Sequence, residues 1–509
     1  MVKTTTARRK TKQELRVKIL ATDFATLEAK ARKEFGSSEP HLAIPPHFAH
    51  QAITLKRYRE HPQAVFDTSD PGTGKTRVNL DAFSERRAKG GGRMLLVAPN
   101  SLLMSAWGDD LARFVPWLRI KYCLAGKREQ AFENEADIVA LNTDGVRWFF
   151  EKRGRALVPT RLGERLLKGF DTLGVDESAD FKHHTSTRSK CLGRLARRFE
   201  FIALLTGTAA PGSVAELWHQ AFVLDGGKSL GDSFYRFRDQ VQTPVRQSAF
   251  NANAVKWVDK PGIRQVVAPL LAHMTVRHRF ADCVDIPAHR IRRVVYHPPP
   301  KLLRAYRELE ATAKLRLKQG DLTAVNAAVL RGKLLQTASG AVYRSDKGHT
   351  DEYALLDGAR YELVTQLVAE DPEPTVVFFC WRHQRVELEK ALSKLGLDWA
   401  VMGSNLGPAR RKALVDRFQD GGLRALLLHP ATGAHGLTLT RGRRTVIPSP
   451  FDRADWLVQA KHRIWRAGQK NKTETILVEA AGTVERKVYG NLDGKVAGME
   501  ELFELFEEG

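Results

Sequence analysis

Residues 69–76 have the residue types and spacing of a phosphate-binding turn. An apolar run at 63–67 predicts a buried strand before the turn, and 77–88 predicts a helix after it. Glycines let backbone N–H groups approach an anion, and a helix N-terminus adds partial positive charge. The predicted phosphate-binding residues are Gly72, Thr73, Gly74, Lys75 and Thr76. Lys75 would reach the β- and γ-phosphates, and the Thr76 hydroxyl would hold Mg²⁺. The usual pattern begins with Gly where Ser69 stands, and an ordinary turn with a solvated lysine is the alternative.

Two adjacent carboxylates, Asp176 and Glu177, follow a second apolar run at 173–175. A buried strand would carry them to the edge of a sheet. In a P-loop enzyme we expect Asp176 to hold Mg²⁺, usually through water, and Glu177 to polarise the attacking water. Residues 206–208, Thr-Gly-Thr, end the next predicted strand, where their hydroxyls would sense the γ-phosphate region. A plain strand-to-loop turn is the alternative for that triplet.

A third candidate group lies far along the chain, at 459–469. On a helix, Gln459, Arg463 and Arg466 would share one face, because they are spaced i, i+4 and i+7. Two arginines and a glutamine would suit a triphosphate reached across a cleft, although a solvated basic face is the alternative. Upstream of the turn, Gln51 is a candidate for binding the adenine edge, since its amide both donates and accepts.

The elements that must position these residues form two groups. Short apolar runs alternate with helical patterns at the strand candidates 63–67, 94–99, 137–142, 173–177 and 201–205, and again at 375–380, 399–402, 424–428 and 445–447. This alternation predicts an α/β protein with parallel sheets and sites at the strand C-termini. We predict four ranges: a basic arm at 1–40, a first lobe with the P-loop at 41–225, a helical insertion region at 226–350 and a second lobe at 351–509.

The composition favours a polyanionic partner. The 509 residues carry a formal net charge of +23, and a folded protein this basic usually meets nucleic acid. An acidic membrane surface is the second candidate, but no basic amphipathic helix stands out and no apolar run is long enough to span a membrane. The basic arm would either touch phosphates or be a solvated terminus. Four widely separated cysteines and a polar N-terminus are typical of a cytoplasmic protein without a zinc site.

The order of these motifs resembles the Swi/Snf-type branch of the superfamily-two helicase-like ATPases, from about Gln51 to Leu502. The matching stretches are 69–76, 95–103 with Trp107, 176–179, 205–208 with Pro211, 435–439, 459–469 and 482–485 with Tyr489. The amino-acid sequence of 335–343 is similar to that of short family members carried by phages and prophages. One departure concerns the acidic box, which usually ends in a His that couples the nucleotide state to the third motif. Here that place is Ala179.

The resemblance implies two RecA-like lobes with a helical insertion between them, and ATP with Mg²⁺ in the cleft. It also implies a DNA-dependent ATPase that moves on double-stranded DNA, in the host cytoplasm if a phage encodes it. In that reading Lys75, Asp176, Glu177, Arg463 and Arg466 are catalytic, and Gln51 and Gln459 bind the nucleotide. The alternatives are a helicase that remodels branched DNA, a basic DNA-binding protein with a decayed ATPase, and a P-loop enzyme acting on a small molecule. Protein partners cannot be predicted.

Overall fold

The computed structural model describes residues 44–61, 63–123, 126, 128–133, 136–154, 156–246, 255–318, 324–343, 353–403, 406–433 and 437–507. The predicted basic arm at 1–40 lies outside these ranges, as do His435 and Gly436 of the 435–439 stretch. Within the described ranges, no helix combines the length and the apolar character needed to cross a bilayer.

The first lobe is built on a seven-stranded sheet in which every pairing is parallel. In spatial order its strands are Thr275–Val276, Ala64–Asp67, Phe201–Leu205, Phe170–Asp176, Arg93–Ala98, Ile138–Asn142 and Ile120–Tyr122. The central strands read as continuous apolar runs because helices cover both faces of the sheet. Side chains such as Leu95 and Leu96, which point to opposite faces, are both fully buried. The site residues therefore emerge from a rigid, closely packed core.

Helices connect the strands of this lobe. Its α-helices are Ala49–Glu60, Lys75–Ala88, Asn100–Leu102, Asp109–Phe114, Arg128–Phe132, Arg161–Leu166, Thr187–Ala196, Leu217–Asp225, Phe234–Val241 and Ile263–Ala272. Other elements are a π-helical segment at Leu103–Gly108, 3₁₀ turns at Thr143–Phe149, Ser178–Phe181 and Val214–Glu216, and the hairpins Phe150–Arg153 with Ala156–Pro159 and Gln242–Arg246 with Val255–Asp259.

The second lobe has a six-stranded sheet, also parallel throughout. Its spatial order is His289–Tyr296, Thr473–Ala480, Arg444–Ile447, Thr375–Phe378, Ala425–Leu428 and Trp399–Met402. Its α-helices are Ala359–Ala369, Arg382–Lys394, Pro408–Gln419, Pro430–Gly433, Ala454–Ile464 and Glu485–Glu507. The predicted α/β class with two parallel-sheet lobes is confirmed.

The region 226–350 is more mixed than a helical insertion. It contains two long helices, Pro300–Lys318 and Ala324–Ala338, but it also gives strand Thr275–Val276 to the first sheet and strand His289–Tyr296 to the second. A further small hairpin pairs Ala341–Tyr343 with Tyr353–Leu355. The sequence did not predict these two sheet strands. Thr275–Val276 has too few residues to show the alternation of a strand, and His289–Tyr296 is an arginine-rich strand at the edge of its sheet. The division of the chain into four ranges stays a prediction.

The C-terminal helix Glu485–Glu507 belongs to both lobes. Its first half packs into the second-lobe core through Val488, Tyr489 and Leu492. Its second half packs into the first-lobe core through Met499, Leu502, Phe503 and Phe506. The chain therefore returns to the lobe in which it began.

Candidate active site

The predicted phosphate cradle lies between the strand Ala64–Asp67 and the helix Lys75–Ala88. Gly72 and Gly74 both adopt positive φ, at 92° and 86°. A Cβ at Gly74 would lie 2.1 Å from Gln51 Nε2, so a larger residue would force the Gln51 side chain away. The glycines are thus required by conformation and by close packing.

The Lys75 ammonium group lies over the turn. It donates to the carbonyls of Ser69 at 2.6 Å and Asp70 at 3.0 Å, and Thr76 follows it as the second residue of the helix. Ser69, which replaces the usual glycine, has a structural use for its hydroxyl, because Ser69 Oγ accepts a hydrogen bond from the His278 amide at 3.1 Å. The departure from the usual pattern is therefore compatible with an ordered turn.

Gln51 is buried against the cradle. Its Nε2 donates to the Thr73 carbonyl at 3.1 Å, and its Oε1 accepts from the Phe48 amide at 3.1 Å. His50 also donates to the Thr73 carbonyl, at 2.7 Å. A primary amide has two donor hydrogens and two lone pairs, so these contacts leave capacity for a base. Binding of adenine by Gln51 stays a prediction.

Asp176 ends the strand Phe170–Asp176 and is held from two sides. Trp107 Nε1 donates to its Oδ2 at 2.8 Å, and the Glu177 amide donates to its Oδ1 at 3.0 Å. Burial and the neighbouring Glu177 carboxylate raise the pKa of Asp176 above its ordinary value, while Lys75 acts in the opposite direction. Trp107 lies in the π-helical segment Leu103–Gly108, and such segments are frequent at functional sites.

Glu177 has a left-handed backbone, with φ 53° and ψ 51°. Among the described residues, it is the one non-glycine position with positive φ. Such a conformation costs on the order of 1–3 kcal/mol and persists only where the surroundings impose it. It lets the chain turn from the strand directly into the 3₁₀ turn Ser178–Phe181. The second predicted carboxylate therefore occupies a strained position at the sheet edge.

The two predicted arginines come together at one carbonyl. Arg463 Nη1 and Arg466 Nη1 donate to the Leu437 carbonyl at 3.2 and 3.4 Å. The prediction that Gln459, Arg463 and Arg466 share one helix face is wrong for Arg466. The helix Ala454–Ile464 ends before it, because Trp465 leaves the helical conformation.

These arginines reach the first lobe. A Cβ at Gly72 would lie 3.5 Å from Arg466 Cγ, so the Arg466 stem packs on the cradle. Burial and, to a smaller extent, the neighbouring Arg466 lower the pKa of Arg463 to about 9, against the opposing effect of the Glu177 carboxylate. Burial likewise lowers the pKa of Arg466, and Asp110 of the first lobe opposes this. Both guanidinium groups stay charged at neutral pH, and both lie among groups of the opposite lobe.

A cavity of about 210 Å³ lies between the lobes, beside Glu177. Its walls include Ala179 and Thr208 from the first lobe and Gln459 and Trp456 from the second. Gln459 is buried, and its Oε1 has no hydrogen-bond partner among the residues that the structure describes. Glu177 of the first lobe and Gln459 of the second thus face a shared space.

Asp70 is a structural residue of the cradle that the sequence did not single out. Arg277 donates to its Oδ1 at 2.6 Å, and the Phe280 amide donates to its Oδ2 at 2.9 Å. Burial alone would raise the pKa of Asp70, but Arg277 holds it below its ordinary value. Phe280 in turn packs edge-on against Trp465, with ring centroids 5.4 Å apart. The acidic residue at the second position of the turn was the one sign in the sequence of this role. Its partner Arg277 could not be predicted, because it lies 207 residues away (277 − 70).

Comparison with known proteins agrees with this arrangement. Residues 359–468 match the helicase conserved C-terminal domain. Protein p41 of Acyrthosiphon pisum secondary endosymbiont phage 1 is 28% identical over 397 residues, which cover 74% of this chain and 79% of p41. The SWI/SNF-related matrix-associated actin-dependent regulator of chromatin subfamily A-like protein 1 of Xenopus tropicalis is 21% identical over 441 residues, 84% of this chain and 42% of that protein. This chain is a Swi/Snf-type relative of the superfamily-two helicase-like ATPases.

Two further proteins, one from a sequence comparison and one from a structure comparison, are also similar to this chain. The DNA repair and recombination protein RAD26 of Saccharomyces cerevisiae is 24% identical over 355 residues, 66% of this chain and 32% of RAD26. Among solved structures, the Sulfolobus solfataricus SWI2/SNF2 ATPase core in complex with dsDNA is 18% identical, with a TM-score of 0.40, covering 91% of this chain and 94% of that one. The chain spans less than half the length of the Xenopus and yeast relatives.

Proposed function

We propose that this protein hydrolyses ATP when bound to DNA and uses the hydrolysis to move along double-stranded DNA. The observation that carries the proposal is that Arg466 packs on the cradle of the opposite lobe, while the Glu177 carboxylate of that lobe acts on the pKa of Arg463. A site shared by two lobes changes when the lobes move, which is what coupling hydrolysis to motion requires.

The residues present fit ATP with Mg²⁺. The cradle offers backbone N–H groups at a helix N-terminus, and the glycines leave no Cβ between them and an anion. The Thr76 hydroxyl and the Asp176 carboxylate are hard oxygen donors of the kind that Mg²⁺ prefers. When bound, Mg²⁺ would neutralise charge on the phosphates. Lys75 would bind the β- and γ-phosphates, and Glu177 would orient the attacking water.

The arginines would complete the site as the cleft closes. Arg466 stands next to the cradle, and Arg463 is close enough to Glu177 for that carboxylate to affect its pKa, so each is suited to the charge that develops on the transferred phosphoryl group. The Leu437 carbonyl accepts a hydrogen bond from each arginine and so helps to orient both buried guanidinium groups. Intact residues at all these places speak against a decayed ATPase.

The charge of the chain supports DNA as the partner. Eighty-one Lys and Arg residues against fifty-eight Asp and Glu residues give the excess that phosphate backbones attract. Such contacts carry little sequence information, so we propose binding with low sequence specificity.

Branched DNA is the second candidate substrate. The relative named DNA annealing helicase and endonuclease ZRANB3, from Homo sapiens, is 21% identical over 413 residues, 79% of this chain and 35% of that protein. Annealing pairs complementary single strands of DNA, and this name is what favours the second candidate. The chain spans only about a third of ZRANB3, so its activity does not transfer directly.

One assay tests both candidates. ATP hydrolysis is measured without nucleic acid, and with single strands, linear duplex, forks and RNA at equal nucleotide concentration. Greatest stimulation by linear duplex supports movement on double-stranded DNA. Stimulation by forks well above linear duplex supports the branched-DNA alternative, and absence of hydrolysis with every nucleic acid contradicts both.

A further inference from the structure

One buried glutamine links the segment of Glu177 to that of Thr208. Gln220 is 1% exposed, and its Oε1 accepts from Ser178 Oγ at 2.8 Å. Its Nε2 donates to the Ala209 carbonyl at 2.7 Å. Ser178 directly follows Glu177, and Ala209 directly follows Thr208. A single side chain therefore spans the ends of two neighbouring strands.

The orientation of this amide is set by its partners. Gln220 Nε2 also donates to the Glu216 carbonyl, at 3.2 Å. Carbonyl oxygens only accept, so the nitrogen must face Ala209 and Glu216, and the oxygen must face Ser178, whose hydroxyl donates. Ser178 is 1% exposed, like Gln220, so water cannot replace either partner.

One of the two linked segments, the one that contains Gly207, also contacts the cradle. A Cβ at Gly207 would lie 2.7 Å from Pro71 Cδ, so the segment after the strand Phe201–Leu205 touches the phosphate-binding turn. Thr206 Oγ1 accepts from the Thr208 amide at 3.1 Å, which keeps this segment compact. A displacement of the turn would reach Ala209 and, through Gln220, Ser178.

The neighbouring position explains why such a link matters here. Ala179 is buried, and a methyl group cannot form a hydrogen bond. The hydrogen-bonded link between the acidic box, residues 176–179, and the third motif, residues 205–208, starts one residue earlier in the chain, at Ser178.

We propose that Gln220 is a positioning residue, which holds Glu177 in its left-handed conformation and ties it to the Thr206–Thr208 segment. The proposal rests on ATP hydrolysis as the function of the site. Glu177 has a backbone that its own residue type does not favour, so the packing of Ser178 must hold the turn in place. Gln220 is the side chain that fixes Ser178 from the adjoining helix Leu217–Asp225.

The test replaces Gln220 with Leu, which keeps the size and removes the amide. DNA-stimulated kcat should fall about tenfold, because a buried group without its partner shifts the turn, while KM for ATP stays within about twofold. The matched control is Gln242→Leu. Gln242 is also buried, and its amide joins Ser213 and Asp259 without touching the acidic box. The control should lower the melting temperature comparably and leave kcat near that of the wild type.

A second variant and a binding measurement keep the test decisive. Ser178→Ala breaks the same link from its other end, with less risk to folding, and the double variant should be no slower than the slower single one. Both single variants should bind ADP with aluminium fluoride, a transition-state mimic, about tenfold more weakly, and ATP nearly as well as the wild type.

The outcomes separate the two proposals. Wild-type protein that hydrolyses no ATP with any nucleic acid overturns the proposed function. Wild-type hydrolysis with unchanged kcat and unchanged binding of the mimic in both variants overturns the positioning role alone. Equal loss of kcat in Gln242→Leu also overturns it, because the effect would then follow from lost stability.

Discussion

At the scale of single residues, backbone carbonyls contact each of the three cations on which the proposed chemistry depends. Lys75 contacts the carbonyls of Ser69 and Asp70, and Arg463 and Arg466 both contact the carbonyl of Leu437. A neutral carbonyl orients a cation without neutralising it. These carbonyls therefore help to orient all three cations for a phosphate.

We expect Lys75→Ala to reduce ATP hydrolysis about a hundredfold or more, since it removes a charge that the developing negative charge requires. Duplex affinity should stay within about twofold, because Lys75 lies inside the cradle. Turnover and duplex binding are measured on the same preparation. Lys89→Ala, at the exposed C-terminal end of the same helix, is the matched control. Normal hydrolysis by Lys75→Ala would exclude the proposed site.

We expect Arg466→Ala to lower turnover on the order of a thousandfold, as the loss of an arginine finger does in related phosphoryl transfers. ATP affinity should fall much less, because Lys75 and the backbone cradle remain. Arg463→Ala should act in the same direction, more mildly. Steady-state hydrolysis is measured at saturating DNA, with the exposed Arg486→Ala as control.

A competing interpretation treats Arg463 and Arg466 as contacts to DNA phosphates. It predicts weaker duplex binding and a turnover that excess DNA restores. Recovery of the Arg466→Ala rate at high DNA concentration would therefore reject the finger assignment.

At the scale of elements, irregular segments position the site. The helical region that begins at Asn100 widens into the π-helical segment Leu103–Gly108, and this brings the Trp107 indole to Asp176. Asp176 would otherwise rely on the Glu177 amide for its orientation. An outer hydrogen-bond donor of this kind tunes a metal-binding carboxylate.

We expect Trp107→Phe to raise the Mg²⁺ concentration for half-maximal hydrolysis about tenfold, because the carboxylate loses the donor that orients it. A Mg²⁺ titration of hydrolysis at fixed ATP measures this. Trp117→Phe is the matched control, since its indole donates to Ser84 Oγ, away from the candidate site. An unchanged Mg²⁺ requirement in Trp107→Phe would show that the indole contributes packing alone.

The same elements show what could be predicted from the sequence. Strands such as Arg93–Ala98 were predictable because burial on both faces makes them continuous apolar runs. The strand Thr275–Val276 was not, since two residues carry no pattern and its pairing with Ala64–Asp67 depends on tertiary contacts. The start of the helix Pro408–Gln419 could be predicted because proline is typical of the first helical position.

Within the candidate site, motif residues could be predicted and their supports could not. The cradle glycines follow from their spacing, but the left-handed Glu177 does not, because that residue type does not favour positive φ. Gln220 carries no local signal, since its partners lie 42 and 11 residues away. Arg466 was misplaced on a helix face because the residues after Ile464 leave the helix despite a helical pattern.

At the scale of the whole molecule, the charge excess of +23 governs the expected encounter with DNA. We expect duplex affinity to fall about a thousandfold between about 50 and 200 mM salt if about six phosphates are contacted, through release of counterions. Duplex should stimulate hydrolysis more than RNA does. Affinity is titrated against salt, and hydrolysis is compared at one salt concentration. A flat salt dependence, or stimulation by RNA alone, would contradict a role on DNA.

The shared C-terminal helix restricts how the lobes can move. The chain passes between the lobes once at 277–288 and again along Glu485–Glu507, and these two passages touch each other. Arg277 lies over the Phe503 ring at 4.1 Å, and Arg279 pairs with Glu504 at 2.8 Å. We expect these two adjoining connections to act as a hinge. They would oppose sliding and separation of the lobes and favour rotation of one lobe relative to the other about the line along which the connections meet. If the protein moves on DNA as we propose, the length of its step would then be set by the rotation of one lobe about this edge.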